Sequence, residues 1–232
     1  MKKILMISAS LFLLLTFIPF ANAQEEEKAS KWNAGLDIYS SYIWRGLKFG
    51  TGAAFQPSVD FTAGGFTIGV WGSYSTGSEN FEETDLYATY AFDLGEKAAL
   101  SFTVTDYYFP GTAYFDKNSH FIEPLVNLGL GNLSLTAAYM FYEGAGNGDA
   151  SGDIYVQAGY TAGPVSITLG GGNGQYSVED GEDEDDKFAI SNIGIGTSKE
   201  IKITENFSLP LSGSIILNPS TEQFFVVVGI SL

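Results

Sequence analysis

Period-two alternation of apolar and polar residues, sustained through most of the chain, limits its fold most tightly. Leu133, Leu135, Ala137, Tyr139 and Phe141 share one parity. After a Gly/Asn/Asp-rich loop, Ile154, Val156, Ala158 and Tyr160 do so again, alternating with Asp153, Tyr155, Gln157 and Gly159. Successive side chains of a strand point to opposite faces, so each run is a strand with one apolar face and one polar or small-residue face. The apolar sets end in aromatics. Such a face suits lipid with aromatic residues at its interfaces, and it predicts an all-β, antiparallel up-and-down transmembrane barrel.

The same reading divides residues 32–232 into about twelve strands of about ten residues, long enough to cross a bilayer at the usual tilt. Strand one sets Ala34, Leu36, Ile38, Tyr42 and Trp44 against Asn33, Asp37, Tyr39, Ser41 and Arg45. Strand two sets Phe55, Val59 and Phe61 against Gln56, Ser58 and Asp60, and strand three puts Trp71 opposite Val70. Strand four has Leu86, Ala88, Tyr90 and Phe92 against Asp85, Tyr87 and Thr89. Strand six turns Glu123 inward, with Pro124 a misfit because proline cannot donate to a ladder. In strand ten the alternation slips between Ile190 and Ile193, which predicts a bulge.

Connections are long after strands one, three, five, seven and nine, and short after two, four, six, eight and ten. Outer-membrane barrels have long outer loops and short periplasmic turns, and an even strand number puts both termini in the periplasm. The last connection, Asn218-Pro219-Ser220, is short on the outer side. Tyr42 and Trp44, Phe61 and Phe66, and Tyr90 and Phe92 are expected in the interfacial girdles. The bland alternative is a secreted β-sandwich or lipocalin-like barrel, whose outward face would need more Lys and Glu than these strands carry.

Residues 1–23 read as a signal peptide: Lys2 and Lys3, an apolar stretch from Ile4 to Phe20, then Ala21-Asn22-Ala23 as cleavage site. The alternative, an N-terminal membrane anchor, lacks a positive stop-transfer flank. Cleavage takes the formal charge from −16 to about −18, because two lysines leave. Residues 24–31 form a polar lead-in to the barrel. Strong acidity argues against nucleic acid as a partner, since phosphate binding needs clustered Lys and Arg. With no Cys in 232 residues, disulfide frameworks and thiolate metal sites are excluded. No cofactor is expected. The partners expected are outer-membrane lipid and lipopolysaccharide, the barrel-insertion machinery and small solutes, around a monomer.

Three segments carry a family resemblance: YSSYIWRGLKFGTGAAFQPSVDF (Tyr39 to Phe61), GGFTIGVWGSYS (Gly64 to Ser75) and ETDLYATYAF (Glu83 to Phe92). With an aromatic-Arg-Gly after strand one and a Gly-x-x-x-Gly-x-Trp-Gly strand, the region Gly35 to Phe92 resembles the TorF-type porin family of Gram-negative bacteria. The resemblance implies an outer-membrane barrel and a porin. Leu232 stands where barrel proteins usually end in Phe.

Arg45 is the only arginine, and on this register it faces inward with Asp37, Asp60, Asp85, Glu123 and Asp153. A desolvated guanidinium needs carboxylate partners and can bind one bidentately. The functional reading is a constriction residue facing an acidic wall that sets the field on a passing ion. The structural reading is an interior ion pair that braces the barrel. Gln56, Tyr39, Tyr87, Trp71 and Tyr155 point the same way and would narrow or plug the lumen. The function expected is passive diffusion of small cationic or neutral solutes, the alternative being a closed barrel with a structural or loop-binding role.

Two loops are candidate cation ligands through their carboxylates, Glu179 to Asp186 and Gly144 to Asp153, with a solvated loop as the ordinary alternative. Catalysis is not expected. His120 is the single histidine, adjacent Ser119 would point to the opposite face of a strand, and no nucleophile motif is present.

Overall fold

The computed structural model describes residues 31–144, 152–177, 187–205 and 207–232. The expected signal peptide and the acidic stretch Glu179 to Asp186 lie outside the described residues. So does most of the glycine-aspartate loop. Twelve strands form the wall: β1 Lys31–Tyr39, β2 Ala54–Ala63, β3 Phe66–Ser75, β4 Glu82–Gly95, β5 Ala98–Tyr108 and β6 His120–Leu130. They continue as β7 Leu133–Tyr139, β8 Ile154–Ala162, β9 Val165–Gly172, β10 Ala189–Lys202, β11 Ser208–Asn218 and β12 Gln223–Ser231. Each pairs antiparallel with its chain neighbours, and β1 pairs with β12, so the sheet closes on itself. Closure removes the free edges that an open twelve-strand sheet would expose.

The faces fall as alternation requires. Ile68, Val70, Leu86, Val104, Val156, Leu169, Ile195, Val226 and Val228 are all exposed. Buried positions instead include seven charged side chains (Asp37, Arg45, Asp60, Glu83, Asp85, Glu123 and Asp153) together with several tyrosines. A soluble barrel has the reverse arrangement, because an apolar exterior is stable only against another apolar phase. Outward aromatics gather near the short turns: Phe66 pairs with Tyr90, and the Tyr90, Phe92 and Phe102 rings touch in sequence. No helix among the described residues is long and apolar enough to cross a membrane.

Two local departures from alternation are resolved. The expected bulge lies in β10, where Gly170 pairs with Asn192 but Gly171 pairs with Ile190, leaving Ser191 as the extra residue. Pro124 sits where it removes little: the β6–β7 ladder starts one residue later, at Leu125 and Ala138.

The first strand differs from expectation. It ends at Tyr39; the chain bends at Ser40 and Ser41, and Tyr42–Trp44 pairs with Leu47–Phe49 in a separate two-stranded hairpin. Arg45 and Gly46 form its two-residue turn with φ of 52° and 86°. Positive φ at both central positions is the type I′ geometry, whose twist matches that of a tight hairpin. Tyr42 and Trp44 are therefore not girdle residues. They are buried inside the barrel, as are Ile43 and Arg45.

Closure at the β1–β12 seam rests on few pairs, from Asp37 with Ser231 to Tyr39 with Gly229. Tyr39 lies flat over Gly229, so a Cβ there would fall 2.0 Å from the ring. Tyr87 covers Gly69 on β3 in the same way. Gly229→Val should push Tyr39 off the seam and cost roughly 1–3 kcal/mol as an overpacked contact. Heat-modifiable gel migration should show the folded form lost at lower temperature; an unchanged midpoint would mean that Tyr39 does not brace the seam.

Candidate functional site

The hairpin tip defines the site. Strands β6 and β7 lie half-way round the wall from the β1–β12 seam, and the hairpin leaving β1 reaches β6. Arg45 Nη1 and Nη2 donate to Glu123 Oε2 and Oε1, both at 2.7 Å. Arg45 is 3% exposed and Glu123 1%. The remaining lone pairs of the carboxylate accept from the hydroxyl of Tyr107 on β5, at 3.1 Å, and from that of Tyr176 in the β9–β10 connection. Burial, and then the Glu123 charge, push the Tyr176 hydroxyl above the ordinary tyrosine range, so it remains a donor.

Three ring faces enclose the guanidinium: Trp44 and Tyr155 at 4.4 Å and Tyr176 at 4.9 Å from ring centroid to Cζ. The backbone of the turn is tied as well. Ser191, thrown inward by the β10 bulge, donates to the Arg45 carbonyl at 3.1 Å, and Asn218 at the end of β11 donates to that of Gly46, also at 3.1 Å. A Cβ at Gly46 would lie 1.8 Å from the Ser191 carbonyl oxygen, so this position has no room for a side chain. The hairpin divides the interior. Ile43 packs with Tyr39, Ile216 and Val227 on the seam side, while Tyr42 and Trp44 join Trp71, Tyr107, Tyr155 and Tyr176 on the other.

The other expected residues are all buried in the interior but not in one place. Asp85 and Glu83 lie side by side on the inner face of β4, and Asp85 Oδ1 accepts no hydrogen bond from the protein. Gln56 donates to Ser73 across the β2–β3 pair at 3.2 Å. Trp71 packs on Tyr42 with ring centroids 5.7 Å apart. Tyr155 donates to Gln157 at 2.8 Å. Asp37 is at the seam, and Asp60, nearer the short turns, accepts from Asn33 at 2.9 Å. Asp153 is a clamp between loops: it precedes β8 and accepts the Gln175 N–H at 2.8 Å.

Beyond the hairpin, toward the short turns, inward positions are small and hydroxylic. Thr62 with Thr67, Thr89 with Thr103, and Asn127 with Thr136 make cross-strand hydrogen bonds of 2.7–2.9 Å, and all six are partly exposed. On the long-loop side a cavity of about 730 Å³ lies between the hairpin and the β11–β12 turn, lined by Trp44, Leu47, Lys48, Phe49, Gln175 and Ser220 to Gln223.

Ser119 lies in a short 3₁₀ turn, Lys117–Ser119, rather than on a strand. His120 is tied at both nitrogens: Nδ1 to the Asp106 carboxylate at 2.9 Å and Nε2 to the Tyr114 carbonyl. Both ring nitrogens are therefore engaged by neighbouring groups, on β5 and in the β5–β6 loop. No group of three or more His, Cys, Asp or Glu suited to a metal ion occurs among the described residues.

A family model described as "Bacterial protein of unknown function (Gcw_chp)" matches residues 23–209. The chain belongs to the Gcw_chp family. That family description names no activity, and the likeness to TorF-type porins rests on the sequence segments alone. No curated protein matches significantly. Three similar solved structures are each 11% identical to this Gcw_chp chain. OprD, an outer membrane protein of Pseudomonas aeruginosa, has a TM-score of 0.35 over 85% of this chain and 65% of its own. Outer membrane phospholipase A of Escherichia coli scores 0.41 over 94% and 93%. The calcium-bound dimer of the Salmonella typhi phospholipase scores 0.40 over 95% of each. At these scores the similarity transfers no activity.

The ion pair should be strongly coupled. Glu123→Gln leaves a buried guanidinium without counter-charge and should cost about 3–5 kcal/mol, read as a lower urea midpoint. Arg45→Met combined with Glu123→Met should cost less than the two single losses added together. Simple additivity would mean that the two groups do not share one site.

Proposed function

We propose that the chain is an exported outer-membrane barrel, a porin-like channel for passive diffusion of small cationic or neutral solutes, with its lumen plugged at rest. The observation that carries this reading is where the closure lies. The wall is lined by partly exposed Thr and Asn on the short-turn side, while the block is a hairpin rooted in one connection. A polar lumen interrupted by a tethered segment is a channel architecture, as in barrels plugged by loops. Cation preference rests on the excess of buried acidic side chains, with Asp37, Asp60, Glu83, Asp85, Glu123 and Asp153 against one arginine, which Glu123 binds. The signal-peptide pattern read in the sequence of residues 1–23, and resemblance to TorF-type porins over Gly35 to Phe92, support the location.

A second reading, a permanently closed barrel with a structural or loop-binding role, is favoured by the anchoring of the hairpin tip to β6, β10 and β11. Planar-bilayer conductance under a salt gradient separates the two. Replacing residues 42–49 by a Gly-Ser linker should convert rare, small wild-type steps into large steps with a cation-selective reversal potential. A folded barrel that stays silent without its hairpin would establish the closed reading, and anion selectivity would overturn the assignment of the lumen charges.

A further inference from the structure

The guanidinium of Arg45 is held as proteins hold a cationic ligand. A carboxylate takes it bidentately, two phenols saturate that carboxylate, and three aromatic faces surround it. Stacking on ring faces in a desolvated site is how quaternary and guanidinium ligands are bound in aromatic cages. Most of the cage belongs to the barrel: Glu123 is on β6, Tyr107 on β5, Tyr155 on β8, and Tyr176 is fixed in the β9–β10 connection. The cation and one cage ring, Trp44, arrive on a tethered loop.

Three further observations bear on whether another cation can take its place. The buried titratable groups are lopsided: the acidic side chains Glu83 and Asp85 lie in the same half of the lumen, Asp85 Oδ1 is unpartnered, and no lysine is buried among the described residues. The cavity between the hairpin and the β11–β12 turn has Trp44 as part of its wall, so it ends against one ring of the cage. Arg45 itself sits at φ 52°, a left-handed conformation that disfavours any residue but glycine. Gly50 and Gly52, both at positive φ, lie at the base where the hairpin rejoins β2.

We infer that this cage is a binding site for small guanidinium-bearing solutes, occupied at rest by the chain's own Arg45. A competing guanidinium takes the Glu123 carboxylate and the Tyr155 and Tyr176 faces, the tip of the hairpin keeps only its backbone bonds to Ser191 and Asn218, and the plug loosens. The binding step stands on the cage geometry alone; the consequence for passage rests on the channel reading.

The test uses the full-length barrel folded in detergent, with ethylguanidinium as probe, ethylurea as its neutral isostere and ethylammonium as a cation without the planar fork. Arg45→Ala empties the cage. It should then show saturable tryptophan-fluorescence change and a raised heat-modification midpoint with millimolar ethylguanidinium. Ethylurea should have no effect, ethylammonium should bind roughly tenfold more weakly, and adding Glu123→Gln should abolish binding. In a barrel that keeps Arg45, Ile43→Cys, buried at rest, should become reactive to a thiol reagent as ethylguanidinium saturates. Equal responses to ethylguanidinium and ethylurea in Arg45→Ala would overturn the site. If that variant does not fold, unchanged Ile43→Cys labelling would overturn it. A barrel that binds the probe and never conducts would leave the site standing and remove the channel.

Discussion

A guanidinium and a carboxylate, bonded at two points where water does not reach, hold the interior of this barrel in its observed form. Desolvating both charges costs several kcal/mol each, and only good geometry with every remaining lone pair satisfied offsets it. The surroundings supply what that requires. Tyr107 and Tyr176 complete the carboxylate, aromatic faces cover the cation, and Ser191 and Asn218 fix the turn that presents it. Several features otherwise without cause follow: a non-glycine residue at positive φ, a bulge in β10, and glycine at position 46. Each aims a group at one point in the lumen.

The wall makes such an interior affordable. Apolar side chains of the strands face outward, so the barrel does not need an apolar core for its own stability when the outside is lipid. Backbone polar groups are satisfied by the closed ladder, which leaves the inward positions free to vary. In the half toward the short turns they are mostly Thr, Asn and Gly, with Asp60 and Tyr87 among them. In the other half they are aromatics and carboxylates around a hairpin. One sheet thus carries two interiors, and the hairpin marks the boundary between them.

The fold was legible because period two is repeated some dozen times and every repeat agrees. The β10 bulge at Ile190 to Ile193 and the inward set Asp37, Asp60, Asp85, Glu123 and Tyr155 came from parity, and the alternation of long and short connections from the spacing between strands. Parity also misled at one place. Tyr42 and Trp44 continue the outward phase of strand one, and nothing in a period-two count records that the chain leaves the wall at Ser40 and turns back. The overlooked signal was Arg45-Gly46 between two short apolar-aromatic runs, a two-residue hairpin loop with glycine at its second position. Tyr176 had no such signal, because its role depends on a tertiary contact 53 residues away, with Glu123.

The central claim is that the hairpin crosses the lumen and meets the far wall. With no native cysteine in the chain, Trp44→Cys paired with Tyr107→Cys tests it directly, since these rings lie 5.9 Å apart across the interior. A short bifunctional thiol reagent applied to the folded barrel in lipid should join the two positions in one chain, detected as an altered mobility of the unfolded band. Trp44→Cys with a cysteine at Ile68, on the outer face of β3, should not join. Equal yields from both pairs, or none from the first in a barrel that is demonstrably folded, would contradict a hairpin seated against β5 and β6.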